Sequence, residues 1–563
     1  MNEQPITNGP ASGQANGHAN PQAVNNRAGN GHINFDPMTG VPVNAAPVNA
    51  VPVNAVPVNA APVNAPTRQK PKKEFTKKEK VLAWLSVPAG YLFCRTFFVW
   101  NKPLLALIFT VLLFAFAFVF FGAQKRKARS LFYPVSALFI ASGLFFSASP
   151  VLHFFVFAYA LLAFFLFCQT GSETALENRA GQLYVFETVK ALFVSPFKNI
   201  GAAAMSAGSN KGGKKLGKTL LFILIGIGVA VVPTYIVLQL LSFDSNFTGI
   251  LDKIRLNISD KVVSRVCALV FGVPLGMFFY GALYTGAHPV PDRFNAENCV
   301  NIENKMKFAP SIVGAVALVP LLFLYTVFII AHVDYYKAVF SGVLPDAYTY
   351  AEFARDGFFR LCAVAAINAV ALILIRVFSR KTSKGRISPV VKVCTVLLSL
   401  VTIVISATAI SQMMMYVSAY GLTRLRLYTL WFMALVILLF LLAVLKQFIE
   451  KLPFAATALV IFALCFGLLA VPDTDAFIAE HNLNCYVSGT SAEIDVGYLE
   501  ELGPSAVPTL CKLAKDENAD SNVKYKAMDA LGRYAEKREE ASVYILTLPV
   551  IRADSAYAAY KNG

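Results

Sequence analysis

Two strings in this chain carry side chains suited to binding anions. Gly212 to Thr219 reads G-G-K-K-L-G-K-T, a literal match to G-x-x-x-x-G-K-T. The glycines and lysine of that pattern wrap nucleotide phosphates when a buried strand precedes them and a helix packed on a soluble sheet follows. Here A-A-A-M-S-A-G-S-N precedes and an apolar run follows, so the string reads as a flexible basic lead-in to that run and no cofactor is expected. The second string is S-Q-M-M-M-Y-V-S-A-Y-G-L-T-R-L-R-L-Y-T-L-W, Ser411 to Trp431, which sets Arg424 and Arg426 between two long apolar runs. Guanidinium forks suit phosphate and carboxylate oxygens. Their candidate targets are an anionic lipid headgroup, an acidic partner or the acidic C-terminal region, with Tyr420 and Arg355 as further candidate contacts. Two residues apart, the arginines point to nearly opposite faces of a helix and share one face of an extended segment. Anchoring by snorkelling arginines is the competing reading.

Transport or proton relay would need ionisable groups inside the apolar runs. No Asp or Glu lies in the middle of any run, and Arg95, His153 and Asn368 are the candidate residues of a polar path. A lone His near a helix end is ordinarily a satisfied interfacial group. A transferase would want carboxylates on an outer loop, and Asp346, Glu352 and Asp356 are the ones available. Nine cysteines occur without a C-x-x-C, and neither a metal site nor a redox motif is expected. Cys485 and Cys511 form the candidate disulfide if their region lies outside the cell.

These residues must be positioned by a membrane domain. The chain has 563 residues, 56% of them hydrophobic and 15% charged, with a mean hydropathy of +0.56, which no ordinary soluble domain shows. The expected class is an all-α polytopic membrane protein. Eleven apolar runs are read as spans, at 81–100, 103–121, 131–148, 150–168, 219–241, 263–284, 308–331, 358–377, 388–410, 427–446 and 453–471. Ten crossings remain possible, because the first run contains Pro88, Gly90 and Arg95, and the third and fourth are close enough for a hairpin. Lys and Arg at alternate ends of these runs number 29 on the side of the N-terminus and 10 on the other. The positive-inside rule then puts the N-terminus in the cytoplasm and, with eleven crossings, the C-terminus outside. The net charge of +17 sits in clusters flanking the runs, so the lipid bilayer is the expected partner and nucleic acid is not.

Four regions follow. Residues 1–67 form a low-complexity tail expected to be disordered, with V-P-V-N-A or A-P-V-N-A repeated five times from Val41 to Ala65. These repeats are either a spacer or a motif read by a protein partner. Residues 68–80 are a basic juxtamembrane segment, 81–471 the multi-span domain, and 472–563 a polar C-terminal region. Within that last region Gly503–Tyr534 has the spacing of a HEAT-like helical pair, which cannot bury its apolar face alone and needs Tyr498 and Leu499, the membrane or a protein partner. In the long loop after the fourth run, Tyr184–Ile200 mixes aromatic residues and lysines like a helix lying in the interface.

The strings A-Y-G-L-T-R-L-R-L-Y-T (419–429) with Trp431, G-V-L-P-D-A-Y-T-Y-A-E-F-A-R-D-G-F-F (342–359) and L-E-E-L-G-P-S-A-V-P-T-L (499–510) resemble a bacterial membrane family. It is known as a domain of unknown function, numbers 4173 and 4153. The similarity covers roughly residues 80–515 and implies an inner-membrane protein with no established activity. The expected function is a non-enzymatic envelope sensor, regulator or assembly partner. The alternatives are a transporter or flippase of lipid-like solutes and an envelope glycosyl- or phospholipid-transferase.

Overall fold

In the computed structural model the described residues lie within 74–562, without 99–101, 123, 125, 174, 178–179, 209–259 apart from isolated positions, 290–291, 332, 334–349, 381–387, 492 and 540–545. The pentapeptide repeats, the G-K-T string, the run at 219–241 and the side chains of Asp346, Glu352, Arg355 and Asp356 fall outside them.

The described chain is all-α. Its helices are α1 (Lys77–Phe98), α2 (Pro103–Phe121), α3 (Ala128–Phe146), α4 (Pro150–Thr170), α5 (Tyr184–Val189), α6 (Ser195–Lys198), α7 (Ala202–Ala207), α8 (Asp260–Ala287), α9 (Ala296–Met306) and α10 (Ser311–Ala331). They continue as α11 (Tyr350–Phe378), α12 (Pro389–Tyr420), α13 (Arg424–Phe448), α14 (Phe454–Ala470), α15 (Thr474–Val487), α16 (Val496–Glu501), α17 (Val507–Lys515), α18 (Ser521–Glu539) and α19 (Leu548–Asn562). The helices follow from the sequence because an apolar run in lipid must satisfy every backbone group internally. Proline opens α2, α4 and α12, where its missing N–H costs nothing.

Eight helices are long and apolar enough to cross a membrane: α2, α3, α4, the Ser264–Ala287 part of α8, α10, the Phe358–Phe378 part of α11, α12 and α13. The pair α14 and α15, bent by 59° at its break, would add a ninth. Run 81–100 forms α1, which is not among the eight, and run 453–471 forms α14, whose 17 residues cover only about 25 Å. The class that results is a polytopic helical membrane protein, with eight or nine candidate spans among the described residues.

Three large apolar cores organise the described residues. The first joins α1–α4, the segment around α5–α7, α8 and the inner face of α14, and is rich in interlocked phenylalanines such as Phe109, Phe114, Phe164 and Phe167. The second lies among α10, α11, α12 and α13. The third belongs to the C-terminal helices α15–α19 and takes in Val417 and Leu422 from the membrane part. Leu499 is fully buried there, so the pair α17–α18 shares its apolar face with α15, α16 and α19.

Among the described residues α1 and α8 cross with their backbones close together. A Cβ on Gly276 would lie 2.0 Å from the Ser86 carbonyl, and one on Gly90 1.9 Å from that of Gly272. Gly272 and Gly276 are a G-x-x-x-G pair, and only hydrogen at these positions lets the backbones meet. The segment Tyr184–Ile200 is folded inside out relative to a soluble helix. Val185, Phe193 and Phe197 are exposed while Glu187, Lys190 and Ser195 are buried. Lys190 donates from Nζ to the Phe294 carbonyl at 2.8 Å, and Ser195 to Gln169 Oε1 at 2.6 Å.

Candidate functional site

The residues that could do chemistry converge on the turn between α12 and α13. Gly421 ends α12 with φ +75°, a left-handed conformation that favours glycine. A Cβ there would also stand 2.9 Å from Asn482 Oδ1. Thr423 caps α13, its side chain accepting from the Arg426 N–H, as hydroxyl residues do at helix starts. Between them Leu422 is buried, and its backbone is clipped by the Asn482 amide on α15. The Leu422 N–H donates to Oδ1 at 2.7 Å, and Nδ2 donates to the Leu422 carbonyl at 2.9 Å.

Arg424 then reaches into the C-terminal helices. Its Nε donates to Asp475 Oδ1 at 2.8 Å and its Nη2 to Oδ2 at 2.7 Å, a bidentate pair in which the Asp475 side chain is 0% exposed. Asp475 lies in the first turn of α15, where the helix dipole also favours its charge. The backbone N–H of Arg424 donates to the Tyr498 hydroxyl at 2.6 Å, and burial pushes that phenol above its usual pKa. Arg426 turns the other way. Its Nη1 donates to the carbonyls of Tyr420, at 2.8 Å, and Gly421, while its guanidinium carbon lies 4.1 Å from the centre of the Tyr416 ring. It thereby satisfies carbonyls that the end of α12 leaves free.

The same elbow ties in the N-terminal bundle. Tyr428 shares a 2.8 Å hydrogen bond with Ser149 at the start of α4, and Trp431 donates to the Cys465 carbonyl on α14 at 2.8 Å. Near Ser149, His153 is buried and donates from Nε2 to the Ser147 carbonyl at 2.9 Å.

The three polar-path candidates sit on different helix pairs. Arg95 donates to Ser264 at 2.9 Å between α1 and α8, and His153 stays within the α3–α4 turn. Asn368 is fully buried between Tyr325, which donates to its Oδ1 at 2.8 Å, and Thr402, which accepts from its Nδ2 at 2.9 Å. That trio joins α10, α11 and α12 in the way interhelical amides do in membranes. Cys485 and Cys511 are both free thiols, the second buried. Among the described residues no group of three or more His, Cys, Asp or Glu is placed to hold a metal ion.

Asp475 and Asn482 were not singled out by the sequence, and Tyr498 was named there only as a packing partner of the helical pair Gly503–Tyr534. The one available signal is the pair of acids, Asp473 and Asp475, just after the last apolar run, set against two arginines with no acid anywhere in their own stretch from Ser411 to Trp431. A second ion pair braces the C-terminal helices. Glu500 accepts from Arg533 Nε and Nη2 at 2.9 and 2.6 Å, and the Arg533 guanidinium holds the Glu500 carboxyl below the usual carboxylate range.

Fold and site thus define an all-α, multi-pass membrane protein whose elbow docks a polar helical region. Residues 134–513, which include the whole elbow, Asp475, Asn482 and Tyr498, match the family described as Domain of unknown function (DUF4153). The chain belongs to that family, and the match gives no support to the number 4173. No curated protein and no solved structure matches the chain.

Proposed function

We propose that this chain is a non-enzymatic protein of a bacterial inner membrane, a sensor, regulator or assembly partner that acts through its polar C-terminal helices. The observation that supports the reading is the dock itself. A region kept only as a tether needs a linker, whereas this one meets the membrane helices through a desolvated ion pair and a backbone clip. A shift of α12 against α13 would therefore move α15 and the helices packed on it. The excess of Lys and Arg on the N-terminal side supports a cytoplasmic N-terminus with the C-terminal helices on the other face.

The test is complementation of a deletion strain by the full chain, by a chain ending at residue 472 and by Arg424→Met, read by transcript profile and detergent sensitivity. The full chain should restore both readouts, and the two variants should insert into the membrane without restoring either. A shortened chain that restores both would remove the C-terminal helices from the function and overturn the proposal.

A further inference from the structure

Beside the elbow lies a cavity of about 170 Å³ whose lining carries charges of both signs. Arg426 and Tyr498 line it together with Glu493 and Asp495. Each group has bonding capacity left. Arg426 uses Nη1 on the two carbonyls that end α12, which leaves its Nε–H and second amino group as donors. Tyr498 accepts from the Arg424 N–H through its oxygen, so its own proton is available. Asp495 accepts from the Tyr498 N–H through Oδ1, and the carboxylate of the exposed Glu493 bonds to no protein group among the described residues.

Position supplies the second half of the argument. The elbow is a three-residue turn between α12 and α13, two helices long and apolar enough to cross a membrane. Such a turn must sit where the backbone can meet water, at the level of the lipid headgroups. An anion alone would be repelled by the two carboxylates, and a cation alone by Arg426. A group carrying a phosphate and a primary ammonium a few bonds apart satisfies charges of both signs. The ammonium has three N–H donors for two carboxylates, which a quaternary ammonium lacks.

We infer that this cavity binds a phosphoethanolamine group, with its phosphate on Arg426 and Tyr498 and its ammonium on Glu493 and Asp495. The site goes beyond the assembly reading and does not depend on it, since headgroup binding and complementation can fail separately.

The experiment is native mass spectrometry of the purified full chain released from nanodiscs holding equal parts of phosphatidylethanolamine, phosphatidylcholine and phosphatidylglycerol. Wild type should retain phosphatidylethanolamine over each of the others by about tenfold, a difference of one decade in affinity. Arg426→Gln should lose the bound lipid. Because Arg426 also caps α12, the deciding variant is Glu493→Gln at an exposed position, which should drop phosphatidylethanolamine to the level of phosphatidylcholine. Cys485 lines the same cavity, so its maleimide labelling, read from the mass of its peptide, reports occupancy in the native chain. Protection by soluble phosphoethanolamine assigns the free group, and protection by the lipid alone assigns a headgroup site. Equal retention of the three lipids with no protection of Cys485 by either form would overturn the inference, as would a Glu493→Gln chain that retains phosphatidylethanolamine like wild type.

Discussion

Asp475 is a carboxylate with no exposed surface, and Arg424 is the cation that makes its burial tolerable. Desolvating such a pair costs about as much as its attraction returns, so its energetic signature is asymmetric. Removing one partner leaves an uncompensated charge. Arg424→Met should therefore destabilise the detergent-solubilised protein by about 3–5 kcal/mol, and Asp475→Leu by a similar amount. The double variant, which replaces both charges with apolar groups, should recover most of that loss. Thermal unfolding of the three variants closes the cycle. A double variant as unstable as the sum of the singles would show that the pair is not what couples the elbow to α15.

At the scale of elements, α1 shows why hydropathy ranks a helix below its neighbours. Pro88, Gly90 and Arg95 make its run less apolar, and two of them have their place on α8: Gly90 lies against Gly272, and Arg95 bonds to Ser264. Small residues at the crossing trade hydrophobicity for close packing, which is what holds helices together when lipid is as apolar as the side chains. Gly276→Val would put a branched side chain where a Cβ already stands 2.0 Å from the Ser86 carbonyl. It should force α1 and α8 apart and destabilise the N-terminal bundle by about 3 kcal/mol. The measurement is the yield and thermal midpoint of the purified variant beside Leu269→Val, a change at an exposed position of the same helix. Equal behaviour of the two would mean the crossing is looser than these distances.

For the molecule as a whole, the C-terminal helices bring in an acid-sensitive component. Arg533 lowers the Glu500 carboxyl, so the stabilisation from that pair is complete above the unfolded pKa of about 4.3 and is lost as pH falls through the lower folded value. Glu500→Gln should lower the thermal midpoint at about pH 7 and shrink the loss on acidification to about pH 3. Identical acid profiles for the variant and the parent chain would remove Glu500 from that transition.

What could be read from the residues in order was the class of protein and the place of most helices. A run of about 20 apolar residues has one solution in a bilayer, and that solution is local. The elbow was legible for the same reason, as two arginines and a glycine between two such runs. Its partners were not. Arg424 meets Asp475 from 51 positions away and Leu422 meets Asn482 from 60, and an arginine at a membrane surface is equally compatible with a headgroup, a partner or an acid of its own chain. Among these, only the packing of α15 and α16 against the elbow decided for Arg424. Burial of Asp475 leaves that guanidinium a single full-strength match, while Arg426, two residues on, is turned by the helix toward the other face.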